Sequence, residues 1–317
     1  GTALGAEFAA SGYSFSALGE RLFGRDDMSL IEAFGKGLAQ GAPGIRAYWG
    51  RLIEYLDFVE VGGGNYAVFA GFIEAVDLVD REAAQELLDQ CAEHPGLCQV
   101  LVGLHRIQSF TERDLDRCVS VLEYPDVNLW SYGSFLWRNQ YAYLPTSSIC
   151  DLAWKILNLP LGDDVVLEAL NMKLHQTDEN TDVLGADFRK IGMKAAIQRL
   201  QRDNNDIGGS TDYALEKVVS ASLRFDGNEA LKLEWVDTIL SVAEQRYGYI
   251  SGFEKTIQTT IALMSREFLD RVFDASEEQQ ELRLDFIQNG GIDRSPLAKA
   301  KVSDLIQWCS ARDDDTV

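Results

Sequence analysis

The sequence predicts an all-α protein built from stacked antiparallel helix pairs, solenoid-like in plan, and three observations carry that prediction. First, three apolar stretches end alike, at Leu87-Leu88…His94-Pro95, Val121…Tyr124-Pro125 and Ile156…Leu159-Pro160, with the prolines 30 and then 35 residues apart. Proline stops a helix because it lacks an amide hydrogen and clashes with the preceding turn. A period of this size, with two helices per unit, is what stacked helical hairpins produce. Second, helix starts are marked by Ser29…Glu32, Ser251…Glu254 and Ser276…Gln279, the spacing at which two side chains cap each other's backbone. Third, Phe253, Ile257, Ile261, Met264, Phe268 and Val272 recur in steps of three and four, which keeps one helical face apolar. An irregular helical bundle is the alternative, because the repeat lengths are uneven.

In chain order, residues 1–24 are rich in Gly, Ala and Ser and define no element. A helix is expected after Asp27, opened by Ser29. Gly41-Ala-Pro-Gly44 ends it. The next, over about 45–60, places Trp49, Leu52, Ile53 and Leu56 on one face, and Gly62-Gly63-Gly64 closes it. Helices then follow at about 65–79, 81–93, 97–109, 112–123, 128–143, 147–158 and 164–175. Asp80, Thr111 and Asp163 are placed to cap them, since their oxygens can accept from free amides of a first turn. Links of three to six residues make successive helices antiparallel neighbours. The second half has longer helices, at about 182–202, 211–224, 228–246, 252–274 and 277–288, with a last one over about 302–312. The polar run Asn204–Thr211 is the best internal boundary. The expected organisation is an unassigned segment 1–24, a helical-repeat region 25–203, and a longer-helix region 204–317.

The 317 residues can bury a sizeable core, and the balance of 46% hydrophobic and 25% charged residues is that of a folded protein. The chain is strongly acidic, with a net charge of −21. Residues 1–100, 101–200 and 201–317 carry about −9, −3 and −9, so the middle third is the least acidic. Such a field repels phosphate backbones and argues against a nucleic-acid partner. The five cysteines, Cys91, Cys98, Cys118, Cys150 and Cys309, form no CxxC and are odd in number. That fits a reducing, cytoplasmic setting better than a disulfide framework. The longest apolar stretch, Tyr66–Val79, is interrupted by Glu74 and Asp77, so no membrane span is expected.

No residue pattern points to catalysis, a cofactor or a metal. His94, His105 and His175 follow no glutamate at the spacing of HExxH or ExxH. Gly62-Gly63-Gly64 is not followed by Gly-Lys-Ser/Thr, as a phosphate loop would be. Gly208-Gly209 reads as an ordinary turn. Asp163-Asp164 opens a helix, where acids are favoured by the dipole, and Asp313-Asp314-Asp315 lies in solvent. Two features can serve a partner. The stretch Trp130, Tyr132, Phe135, Trp137, Tyr141, Tyr143 holds more aromatics than one buried stripe needs. Trp130, Trp137 and Tyr141 share a helical face and are assigned to the core. Tyr132, Phe135 and Tyr143 point elsewhere, either into a neighbouring helix pair or outward as an interface patch. Arg189, Lys190 and Lys194, with Arg199 and Arg202, lie on one helix in the least acidic third, and Arg106, Arg113, Arg117 and Arg138 are near in sequence. Those cations can line a groove for an acidic group, or pair within their helix with acids such as Asp187.

The paired-helix rhythm over about residues 80–275 resembles α-solenoids of the HEAT/armadillo type. That resemblance implies an architecture and an elongated binding face, with no catalytic residues to carry over. The tail Asn289-Gly-Gly-Ile292…Ser295-Pro-Leu297…Leu305-Ile-Gln-Trp308-Cys309 is similar to helical C-terminal regions of large bacterial signalling or defence ATPases, although the nucleotide motifs of such proteins are absent. Together these readings lead to a non-catalytic helical-repeat region that recognises a protein or peptide, excised from a larger bacterial protein. Its candidate contact residues are Tyr132, Phe135, Tyr143, Arg189, Lys190 and Lys194, and no cofactor is expected. The alternative is a helical enzyme with an inter-helix pocket lined by the aromatics and arginines.

Overall fold

A computed structural model describes residues 1–23, 27–58, 65–105, 110–138, 141, 143–175, 182, 184–202, 209–245, 252–289 and 296–311. The protein is all-α, 79% helical, with no strand among the described residues. No helix there is long and apolar enough to cross a membrane. The chain forms two compact units, Gly1–Tyr132 and Gly133–Val317. The glycine triplet 62–64, Arg106, residues 204–208, Ser251, Gly290-Gly291 and Asp313–Asp315, all singled out from the sequence, lie outside the described residues.

The first unit contains α1 (Thr2–Ala10), α2 (Met28–Gly41), α3 (Ile45–Phe58), α4 (Ala67–Asp77), α5 (Arg81–Glu93), α6 (Pro95–Cys98), α7 (Leu101–Leu104), α8 (Glu112–Ser120) and α9 (Leu129–Tyr132). The segment left unassigned from sequence is thus α1 followed by two 3₁₀ turns. Helix α4 is its axis. Residues Ala67 to Ile73 are buried without interruption, as expected for a helix apolar on all sides. Helix α2 lies against both α1 and α4 at backbone contact. A Cβ on Gly37 would stand 2.0 Å from the Thr2 carbonyl, and one on Gly35 would stand 2.1 Å from that of Val68. Only glycine permits that approach.

Three local expectations change here. Helix α2 starts two residues earlier than its serine suggested, because Asp27 accepts from the Leu30 amide and is the cap. Ser29 is inside the first turn. The stretch 97–109 is not one helix. The Gln99 carbonyl accepts from the Asn128 amide at 2.8 Å, so the ladder restarts at α7. The stretch 128–143 also breaks. Tyr132 donates its hydroxyl to the Cys118 carbonyl and is anchored in the first unit, and Gly133 follows it. Asp80 and Thr111 do cap α5 and α8, the latter in a full capping box with Asp114.

The second unit contains α10 (Ser134–Trp137), α11 (Thr146–Leu157), α12 (Gly162–Leu174), α13 (Gly185–Gln201), α14 (Gly209–Arg224), α15 (Glu229–Gln245), α16 (Glu254–Leu263), α17 (Ser265–Phe273), α18 (Glu277–Asn289) and α19 (Val302–Ala311). Each helix from α10 to α15 packs against the next but one: α10 on α12, α11 on α13, α12 on α14, and so on to α15 on α17. Side-chain ties follow the same rule at a nearly constant separation. Lys194 and Glu234 are 40 residues apart, Glu216 and Thr259 are 43 apart, and Asp212 and Thr256 are 44 apart. In the first unit, Arg46 of α3 meets Glu86 of α5 at a separation of 40. Contacts between helices two apart therefore join residues about 40 apart, somewhat more than the proline spacing.

The apolar stripe from Phe253 to Val272 is buried at all six positions. It belongs to two helices, however. Met264 leaves helical geometry at φ −130° and ψ 41°. The hydroxyls of Thr260 and Ser265 bond back to the carbonyls of Thr256 and Ile261, a pattern that bends helices. Asp163 does not cap α12. Leu161 takes the cap position, with φ 61°, and Asp163 is buried inside the first turn.

Candidate interaction groove

Helix α13 carries the basic run, and its packing decides what those cations can do. Gly192 brings the helix onto α14 and α12, where a Cβ would stand 2.7 Å from a Val218 methyl and 3.1 Å from one of Leu170. Few of its positions are left for solvent. Arg189 is 6% exposed; it pairs with Asp182, donates to the Asp226 carbonyl at 2.9 Å, and lies over the Phe225 ring. Arg199 is also buried, 2.8 Å from Asp164. Arg202 reaches Asp164 and Asp163 at 2.5 and 3.1 Å. Lys190 is exposed and Lys194 partly so, and Lys194 holds both oxygens of Glu234, at 2.6 and 2.8 Å. The basic helix is therefore a set of ties between neighbouring helices, and the pairing within its own helix expected with Asp187 is not what holds it.

The aromatic stretch divides differently from its helical spacing. Tyr132 and Phe135 are 1% and 3% exposed and belong to the core, where Phe135 packs on Tyr141 with ring centroids 4.6 Å apart. Trp130 and Tyr143 are 57% and 59% exposed. The helical phase is lost at Arg138, where α10 ends with ψ 128°, so Tyr141 and Tyr143 no longer follow the register of the residues before them. Of the three aromatics named as contact residues, Tyr143 alone is on the surface.

A groove of about 500 Å³ runs over α13, α15 and α17. It is lined along α15 by Ala230, Leu233, Glu234, Asp237, Thr238 and Ser241, and flanked by Gln201 and Arg271. Arg271 of α17 pairs with Asp237 at 3.3 Å. Both groove carboxylates, Glu234 and Asp237, thus meet a cation from a flanking helix, Lys194 on one side and Arg271 on the other. All four side chains are between 35% and 50% exposed. The hydroxyl of Thr238 is turned inward to the Glu234 carbonyl. Sequence reading missed Glu234, Asp237 and Arg271. Their signal, an acid pair three residues apart with cations 40 residues before and 34 after, has meaning only once helices two apart are known to touch.

The first unit holds a different polar cluster. Arg117 of α8 donates to Asp89 and Asp114 at 2.7 Å and to Gln85 at 2.8 Å, and it faces His105 Nε2 at 3.3 Å. Gln85 and Thr111 also donate to Asp114, at 2.9 and 2.6 Å. Burial opposes the Asp114 charge, yet the bonds from Thr111 and Gln85 outweigh it and hold the carboxyl below its usual range. His105 Nδ1 lies 2.9 Å from the Leu101 carbonyl and so carries the proton, which leaves Nε2 to accept from Arg117. Burial pushes its pKa down to about 4. Cys118 Sγ is 3.7 Å from His105, but burial pushes the thiol far up, so the pair lacks a thiolate. Cys91 is shifted the same way, and Cys150 is raised to about 11, again by burial. His94 Nδ1 accepts from the amides of Gly96 and Leu97 and caps α6, while its Nε2 meets Asp57 at 2.9 Å. His175 stacks on Tyr213. No group of three or more metal-ligating side chains occurs among the described residues.

Comparison with models of known families, with curated proteins and with solved structures finds no match to this chain.

Proposed function

We propose that this chain is a non-catalytic helical-array region that binds a protein or peptide partner, with the groove over α13, α15 and α17 as the contact surface. The reading rests on one observation above the rest: helices two apart touch in succession from α10 to α17, which lays parallel grooves along one row of helices. In this reading the array belongs with α-solenoids of the HEAT/armadillo type, in a cytoplasmic protein. Its buried, free cysteines suit a reducing compartment. The net charge of −21 disfavours nucleic acid. The buried histidine and thiols are held in forms that suit packing rather than nucleophilic chemistry.

A photo-crosslinking residue placed at Ala230, in the groove, tests this in cells. Protein adducts are expected from that position and not from Glu277, an exposed site on α18. Equal adducts from both, or none from Ala230, overturn the proposal.

A further inference from the structure

We propose that the α13–α15–α17 groove recognises a short basic peptide segment, with two cations of the partner replacing Lys194 and Arg271 on Glu234 and Asp237. This rests on the reading of the groove as a contact surface and adds the chemistry of its occupant.

Half-exposed ion pairs contribute little, because solvent screens them and two long side chains must be held still. Both groove pairs are of that kind. The two halves of each pair are unequal, though. Glu234 and Asp237 are short side chains on α15, the helix that forms the floor. Lys194 and Arg271 are long side chains on the flanking helices. An incoming cation can take the carboxylates while Lys194 and Arg271 swing outward into water. An incoming anion cannot take the cations on the same terms, because the carboxylates are too short to withdraw and would face it at close range. The exchange therefore favours cations. The field of the whole chain, at −21, acts in the same direction and steers such a segment inward.

The spacing narrows the choice further. Residues three apart on a helix place their Cβ atoms about 5–6 Å from each other. In an extended peptide, alternate side chains share a face and are about 7 Å apart. Two basic residues at alternate positions therefore match Glu234 and Asp237. The stretch from Ala230 to Ser241 is about 16 Å long at 1.5 Å per residue, enough for about five extended residues. Ala230 and Leu233 offer an apolar end for an aliphatic residue beside the basic pair, and Gln201 offers an amide at the flank.

The probes are three fluorescent heptapeptides measured by anisotropy at about 150 mM salt: one with arginine at alternate positions and a terminal leucine, one with glutamate in place of arginine, and one with the arginines at one end. Against the intact chain the alternating basic peptide is expected to bind most tightly. E234Q/D237N should weaken it at least about tenfold. E277Q/E278Q, which changes net charge equally on α18, should weaken it less than about twofold. K194A/R271A should retain or tighten binding, since the internal competitors are gone. Equal losses in the two double neutralisations would mean the peptide senses only the general field, and the proposal fails. Equal binding of the glutamate peptide, or no saturable binding of the basic one, also overturns it. Crosslinked adducts at Ala230 without basic-peptide binding would leave the contact surface standing and remove only this account of its occupant.

Discussion

Arg117 in the first unit and Lys194 in the second do related jobs by opposite means. Each ties its helix to a carboxylate that lies 28 or 40 residues away in the sequence. The Arg117 side chain is 4% exposed and surrounded by four partners, Asp89, Asp114, Gln85 and His105. The Lys194 side chain is 35% exposed and serves one carboxylate. A buried charge must be matched by every donor and acceptor around it, because nothing else solvates it. An exposed charge has water as an alternative partner. The first arrangement fixes three helices in one geometry. The second leaves each group with water as an alternative partner, which is the property the proposed exchange needs.

The sharpest way to break this contrast is Arg117→Met. The substitution keeps the volume of the stem and removes the guanidinium, leaving Asp114 buried without its main cation. Stripping one partner from a buried pair costs about 3–5 kcal/mol. Urea unfolding followed by circular dichroism should show a loss of that size. A midpoint within error of the parent chain would mean that water reaches Asp114 and that the cluster is not closed.

Acidification tests the same cluster with no mutation. His105 is held at about 4, below the ordinary value of 6.5. Between those values the unfolded chain binds a proton that the folded chain refuses, so stability is full above about pH 6.5 and falls as pH drops toward 4. The lowered Asp114 carboxyl acts in the same direction further down, losing its contribution as pH falls through its folded value. The histidine alone corresponds to roughly 3 kcal/mol. His105→Gln should flatten the slope between pH 6.5 and 4, read from urea midpoints across that range. An unchanged slope would assign the acid response to other groups.

The same contrast explains what could be read in the sequence. Helix class, and the stripe from Phe253 to Val272, were legible because burial imposes a period that local residues carry. Asp80 and Thr111 were legible as caps because capping acts over three residues. The break at Met264 was not, since it depends on two hydroxyls bonding back to carbonyls within an apolar pattern that continues unbroken. Nor was the break at 99–100, which depends on an amide 29 residues away. The surface proposed for a partner was the least legible. The aromatic excess at 130–143 was read as one helix, but α10 ends at Arg138, whose backbone is extended, so Tyr141 and Tyr143 fall out of its phase. The basic run on α13 was read either as a groove lining or as paired within its own helix, and neither reading foresaw ties to other segments, because Gly192 draws that helix inward. Glu234 and Asp237 carry no local signal at all, because what makes them a pair with Lys194 and Arg271 is packing between helices two apart.

The smallest expected effect is the most informative about the second unit. Lys194→Ala removes an ion pair with good geometry, both oxygens of Glu234 within 2.8 Å. By distance alone it rivals the Arg117 pair. Exposure should decide the outcome: Glu234 is 46% exposed, so water takes over its solvation when the lysine is gone. The loss is expected to stay under about 1 kcal/mol, and to shrink further as salt is raised from about 50 to 500 mM. The buried Arg117 cluster should show no such salt dependence, because ions screen it much less. Measuring both variants across that salt range places the two ties on one scale. A Lys194→Ala loss as large and as salt-insensitive as that of Arg117→Met would mean the groove pairs are fixed parts of the fold. A partner's cations could not then replace them.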